Sequence, residues 1–175
     1  QNMLSRNVLV EGVILGTDGR KMSKNFKNYP DPKEMITRYG GDALRLYLLG
    51  SPVMHGEDIL ISEEQYKMQV RGTMLILWNV YNFFVSNTLL DKWDESRRST
   101  SESENVLDKW IKARLNETIR MVTNALDRYE TVMAIDAIKL FVDDLSTWYI
   151  RRSRERVCPR VEDTEDKNDF YKTTY

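Results

Sequence analysis

Cysteine and histidine are nearly missing from this chain, Cys158 and His55 being its single examples of each. One thiol excludes an intramolecular disulfide, and its distance in sequence from His55 leaves no thiolate and imidazole pair spaced for a metal. Also lacking are an uninterrupted apolar span of membrane length and the charged, apolar, then small-residue order of a secretory signal. A cytoplasmic location is the expectation. Charge of one sign is not in excess either: 26 Lys and Arg against 27 Asp and Glu give a net charge of −1. Without a global basic field, any RNA contact has to come from local clusters. No internal repeat is visible. What remains is the composition of an ordinary globular protein, 41% hydrophobic and 30% charged over 175 residues, long enough to bury a core.

Two such basic clusters exist. The first is Lys21-Met22-Ser23-Lys24, with Arg20 and Lys27 nearby. It follows Asn7 to Leu15, whose nearly continuous Val, Leu and Ile predict a strand buried on both faces. Gly16-Thr17-Asp18-Gly19 breaks that strand. Downstream, Asp31 reads as an N-cap, Pro32 as a first helical residue and Glu34 as the third member of a capping box. The basic loop is thus held at both ends. Lysines three apart in a turn can face one ligand, while Met22 anchors the loop by packing. Ammonium groups on such a loop can stabilise the charge that builds on phosphate oxygens during nucleotidyl chemistry. The bland alternative is a solvated basic loop without a ligand.

The second cluster is Arg151, Arg152, Arg154 and Arg156, followed by Arg160. It closes a helical run that starts at Thr131, carries Ala134, Ile138, Phe141, Val142, Leu145 and Trp148 on one stripe, and stops at Pro159. Cations at a helix C-terminus are favoured by about 0.3 to 1 kcal/mol each without any ligand. Neighbouring Trp148 and Tyr149 favour an RNA role, because aromatic faces beside guanidinium groups stack splayed bases. Trp148 itself continues the apolar stripe and is expected in the core, as are Trp78, Phe83, Phe84 and Trp110. The pair Asp143-Asp144 points in two directions on a helix and is expected to be solvated.

Between the clusters, short helices are predicted at Pro32 to Tyr39 and Asp42 to Leu49, parted by Gly40-Gly41. Ser62-Glu63-Glu64-Gln65 opens a long run to about Leu90, and a domain change is placed at Ser62. Asp91 to Asn105 reads as a polar loop whose last residue caps a helix striped by Leu107, Ile111, Leu115, Ile119, Val122 and Leu126. Three long helices make a bundle. Arg160 to Tyr175 is charged and periodless, either a linker or the start of another helix.

The first cluster and its surroundings resemble the class I aminoacyl-tRNA synthetases, whose signature loop reads Lys-Met-Ser-Lys after the last strand of a nucleotide-binding fold. Asp18-Gly19-Arg20, Asn28-Tyr29-Pro30-Asp31-Pro32 and Tyr39-Gly40-Gly41-Asp42-Ala43-Leu44-Arg45-Leu46-Tyr47 are similar to the isoleucyl-tRNA synthetases, in particular their eukaryotic-like branch. Leu107-Asp108-Lys109-Trp110 and Asp144 to Arg154, with Trp148-Tyr149-Ile150-Arg151-Arg152 at its centre, resemble two helices of that family's anticodon-binding domain. The valyl and leucyl relatives share the loop but differ in the second block. Asn25 stands where the most widespread loop has Ser. The family's His-Ile-Gly-His type sequence is absent, which reads as truncation.

The resemblance implies a mainly α chain: residues 1–61 as the end of an α/β nucleotide-binding catalytic domain, and 62–175 as part of an antiparallel helical-bundle anticodon-binding domain. It implies a ligase that joins isoleucine to its tRNA through isoleucyl-adenylate, with ATP as substrate, Mg2+ accompanying the ATP, no resident metal, no membrane and a monomeric state. Lys21 and Lys24 would be catalytic, Lys21, Met22, Ser23 and Lys24 the ATP loop, and Arg151, Arg152, Arg154 and Arg156 the tRNA contacts. The chain by itself, without the amino-acid pocket, first ATP signature or editing domain, is expected to be inactive and to bind no cofactor. A fragment of a valyl- or leucyl-tRNA synthetase and a freestanding helical RNA-binding module are the rival readings.

Overall fold

The computed structural model describes residues 7–94, 96, 102–157, 162 and 164–175. The chain divides into two compact units, Gln1–Arg71 with Met121–Ala137 and Gly72–Arg120 with Ile138–Tyr175.

In the first unit, β1 (Ile14–Leu15) pairs in parallel with β2 (Ile59–Leu60), Ile14 opposite Ile59 and Leu15 opposite Leu60. A parallel pair needs a crossover, supplied by α1 (Pro32–Tyr39), α2 (Gly41–Leu49) and a 3-10 turn at Pro52–His55. The expected strand over Asn7 to Leu15 is therefore corrected to its last two residues, and Val8 and Val10 are 78% and 73% exposed. A buried parallel strand requires neighbours along its edges and cover on both faces. Among the described residues it has one neighbour, two residues long.

Local signals for the helices hold. The Asp31 carboxylate caps α1 by accepting from the Lys33 amide at 2.8 Å, and Pro32 occupies the first turn. Ser62 accepts from the Gln65 amide at 3.3 Å and opens α3 (Glu63–Gln69). Gly40 ends α1 with φ 87° and ψ 152°, a combination open to glycine and closed to L side chains. Met35, Ala43, Tyr47 and Tyr66 form the core of this unit, with the Tyr39 and Tyr66 rings 5.3 Å apart.

From α3 the chain passes through a π-helical turn, Val70–Met74, into α4 (Leu75–Leu90). The second unit is helical. Asn105 caps α5 (Val106–Asp127), its side-chain oxygen accepting from the Leu107 amide at 2.9 Å. After α6 (Thr131–Asp143) comes a π-helical stretch, Asp144–Ile150, then α7 (Arg151–Ser153) and a 3-10 turn, Arg154–Val157. Pro159 and Arg160 lie outside the described residues, as does the middle of the polar segment after Asp91. The charged tail contains α8 (Glu165–Thr174), capped by Thr164. Phe170 and Tyr171 from that helix are buried with Val80, Ile111, Tyr149, Ile150 and Val157. Two aromatics carry enough apolar area to dock a helix that shows no stripe. Phe83, Phe84 and Trp110 pack on this core as anticipated, whereas Trp78 is 57% exposed beside Tyr81. No helix among the described residues is long and apolar enough to cross a membrane.

Candidate nucleotide loop and helical arginine cluster

Asn28 organises the basic loop. It is 7% exposed, and its amide donates to the Asp18 carboxylate at 2.8 Å and to the Lys21 carbonyl at 3.3 Å. Its side-chain oxygen accepts from the Ser23 amide at 3.0 Å. Its main-chain carbonyl accepts from the Thr17 amide at 2.7 Å and the Thr17 hydroxyl at 3.2 Å. The hydrogen bond from Asn28, and next those from the Arg20 amide and guanidinium, hold the Asp18 carboxyl below the ordinary carboxylate range despite opposing desolvation. Arg20 is tied to Asp18 at 2.9 Å and lies over the Phe26 ring.

Within this frame the two lysines of the motif occupy different settings. Lys21 forms a backbone bridge with Leu15 at the rim of the loop, its side chain exposed. Lys24 opens a turn closed by the Lys27 amide donating to the Ser23 carbonyl at 3.0 Å, with Lys27 at φ 47°. Lys24, Lys27 and Lys33 line one open groove with Tyr29, Asp31 and Pro32. Lys21 does not line it. Lys33 was missed in the sequence because it reads as an ordinary first-turn residue of α1, five residues past the loop's anchor at Asn28. Met22 is partly buried and, with Lys24, faces an adjoining apolar cavity of about 530 Å3 walled by Met35, Leu44, Tyr47 and Tyr66. Three ammonium groups around one carboxylate make a groove that attracts anions.

The arginines of the second cluster also part company. Arg151, Arg152 and Arg154 are exposed, and Arg152 lies over the Trp148 indole at 4.4 Å. Arg156 departs from expectation: its guanidinium is inside the unit, bound to the fully buried Asp108 through two nitrogens at 2.7 and 2.8 Å, and to Asp166 at 2.8 Å. Ser103 and Tyr149 donate to the same Asp108 carboxylate at 2.6 and 2.8 Å. Burial pushes the Asp108 carboxyl up, but its bonds from Arg156, Ser103 and Tyr149 outweigh this and hold it below the usual range. Burial alone would lower Arg156; its two carboxylate partners hold it above its ordinary value instead. A sequence shows a fourth arginine in a basic run. It does not show that a carboxylate two helices away faces it.

Trp148 and Tyr149 exchange their expected roles. Trp148 is 49% exposed, while Tyr149 is fully buried and stacked on Phe170 with centroids 5.6 Å apart. Val142 and Tyr149 are seven residues apart, two helical turns on one face, so Tyr149 and not Trp148 continues the buried line. After Leu145 the buried positions are Tyr149, Ile150, Ser153 and Val157, which turns Trp148 and Arg152 outward together. Asp144 is not solvated either, being paired with Arg114 at 2.8 Å. No group of His, Cys, Asp and Glu among the described residues is arranged to hold a metal ion.

Comparison with known proteins agrees with this division of features. Residues 5–61 match the model of tRNA synthetases class I (I, L, M and V), and residues 108–174 match the anticodon-binding domain of tRNA ligase. Isoleucine--tRNA ligase of Protochlamydia amoebophila (strain UWE25) is 38% identical over 170 residues, 97% of this chain and 16% of that protein. The isoleucine--tRNA ligase of Treponema pallidum (strain Nichols) is 38% identical over 181 residues, with the same coverage of each. The chain thus spans 16% of the length of these curated relatives. Among solved structures, LeuRS of Agrobacterium radiobacter K84, in a ternary complex with tRNA and LeuAMS, superposes with a TM-score of 0.64 at 20% identity. That match takes in 94% of this chain and 18% of that one. It shows a shared fold. With a synthetase match at one end, an anticodon-domain match at the other and isoleucine--tRNA ligases aligned along nearly its whole length, the chain belongs to the class I tRNA synthetases and corresponds to one segment of an isoleucine--tRNA ligase.

Proposed function

We propose that the full-length protein is a cytoplasmic ligase that uses ATP to form isoleucyl-adenylate and passes the isoleucyl group to its tRNA, and that this segment supplies the mobile cations for ATP and a grip on the tRNA. The residues before Ser62 carry the first task and the helical residues beyond it the second, while α3, which Ser62 caps, packs in the first compact unit through Tyr66. The observation that carries the reading is the groove formed by Lys24, Lys27 and Lys33 around a loop anchored by Asn28. Triphosphate oxygens match a cluster of ammonium point charges. Lys21 and Lys24 serve as the catalytic cations, Met22 and Ser23 shape the loop, and Mg2+ arrives as part of the Mg-ATP substrate, carried chiefly by phosphate oxygens and water. Isoleucine-dependent exchange of pyrophosphate into ATP by the full-length protein tests this reading directly.

On the helical side, Arg151, Arg152 and Arg154 provide the phosphate contacts, and exposed Trp148 on Arg152 gives an unpaired base an aromatic face. Replacing Arg151 and Arg154 by Ala in the full-length protein should weaken tRNA binding and flatten its salt dependence by about one unit of slope per lost phosphate contact. Arg156→Lys should leave that slope alone and lower thermal stability, because its partners are Asp108 and Asp166. Filter binding between low and moderate salt separates the two; an unchanged slope in the Arg151 and Arg154 variants would remove these residues from the RNA contact.

A further inference from the structure

We propose that Asn28 is a positioning residue of the nucleotide loop, one side chain that sets where Lys24 points. This rests on the nucleotide reading of the loop given above. The amide's orientation follows from its partners: Asp18 and the Lys21 carbonyl can only accept, so they face the NH2 group, and the Ser23 amide can only donate, so it faces the oxygen. Asn28 therefore reaches three points on the ten-residue span that precedes it, and its main chain fixes a fourth at Thr17. Ser23 is the residue before Lys24, and the Ser23 carbonyl closes the turn that Lys24 begins. Holding the Ser23 amide therefore holds the base of the Lys24 side chain.

Gly16 adds an independent observation. A Cβ built there would lie 2.3 Å from the Asn28 side-chain nitrogen and 2.6 Å from its Cγ. The strand end leaves room for Asn28 and for nothing between. The loop thus combines a lysine whose ammonium has no carboxylate partner among the described residues with a buried anchor whose side-chain NH2 group, side-chain oxygen and main-chain carbonyl are all hydrogen-bonded. A cation that must meet charge only as it develops benefits from such an arrangement, since misplacing a reacting partner by about 1 Å can cost about 10²-fold.

The test uses the full-length protein and isoleucine-dependent ATP–pyrophosphate exchange. Asn28→Ala should lower kcat by about 10-fold to 10²-fold, with the KM for isoleucine, the tRNA affinity and the melting temperature close to wild type. Asn28→Asp should be no better, because it sets a second carboxylate against Asp18. Adding Asp18→Asn to Asn28→Asp should recover about 5-fold, the worth of one restored hydrogen bond. If Asn28→Ala proves unstable, this exchanged pair carries the comparison. The double variant Lys24→Ala with Asn28→Ala should be little slower than Lys24→Ala alone, because Asn28 acts through Lys24. A slow Lys24→Ala beside a full-rate Asn28→Ala, or losses that multiply in the double variant, would overturn the proposal while leaving the nucleotide reading intact. A full-rate Lys24→Ala would instead overturn the nucleotide reading itself.

Discussion

Lys24→Ala in the full-length protein is expected to slow isoleucyl-adenylate formation by about 10² to 10³-fold while changing ATP affinity by much less. The split between rate and affinity follows from when the charge appears. Ground-state ATP enters with its phosphates already partly neutralised by Mg2+, so one more ammonium adds little to binding. As the α-phosphorus is attacked, negative charge moves onto pyrophosphate oxygens, and a cation placed to meet it lowers the barrier without tightening the ground state. The groove's geometry selects Lys24 over Lys21, since Lys24 shares its wall with Lys27 and Lys33 whereas Lys21 is bridged to Leu15 at the rim. Lys21→Ala should therefore cost less than Lys24→Ala. Single-turnover adenylate formation at saturating isoleucine, titrated with ATP, reads both quantities; a loss confined to ATP affinity would assign the loop to binding alone.

The second large effect concerns Asp108. Its carboxylate is wholly buried and receives Arg156 through two nitrogens, Ser103 and Tyr149, so it joins the start of α5 to the end of the third helical run. Asp166 on α8 binds the other side of the same guanidinium. Removing Asp108 leaves the buried Arg156 guanidinium with Asp166 alone and the Ser103 and Tyr149 hydroxyls without their acceptor, a loss of about 3 kcal/mol, the low end for a broken buried pair. Asp108→Ala should destabilise the second unit by that amount. All four tryptophans, Trp78, Trp93, Trp110 and Trp148, lie in this unit, so urea titration of the chain followed by tryptophan fluorescence reports it selectively. The pH dependence has a definite sign. The folded carboxyl sits below its ordinary value, so its contribution is complete above the unfolded pKa of about 3.9 and is lost as pH falls through the folded value. The gap between wild type and Asp108→Asn should thus narrow below about pH 4. A gap constant down to pH 2 would show that the carboxylate's charge is not what holds these helices together.

Helix starts in both units are legible because their signals are local. Asp31 followed by Pro32, Ser62 followed by Gln65, and Asn105 before Val106 each satisfy helix-end amides with an adjacent side chain, and such bonds depend on a few consecutive residues. The Lys-Met-Ser-Lys loop is legible for the same reason. The strand over Asn7 to Leu15 is not, since strands are completed by partners distant in sequence, and the described residues complete only Ile14 and Leu15. In the helical unit, the stripe can continue from Leu145 by three residues to Trp148 or by four to Tyr149, and the structure buries Tyr149. That single-residue choice decides which aromatic faces solvent and which braces Asp108. Arg156 illustrates a further limit, because a basic run looks alike whether its members face solvent or a buried carboxylate. Asn28 was visible only as part of a matched block; its reach to Asp18, Lys21 and Ser23 exists only in three dimensions.

The central claim, that cations on this loop meet the nucleotide, is tested most directly by the structure of the full-length protein bound to a non-hydrolysable ATP analogue and Mg2+. The prediction is Lys24 Nζ within about 3 Å of a phosphate oxygen, with the Asn28 bonds to Asp18, Lys21 and Ser23 retained. A bound triphosphate with Lys24, Lys27 and Lys33 all turned to solvent would contradict it.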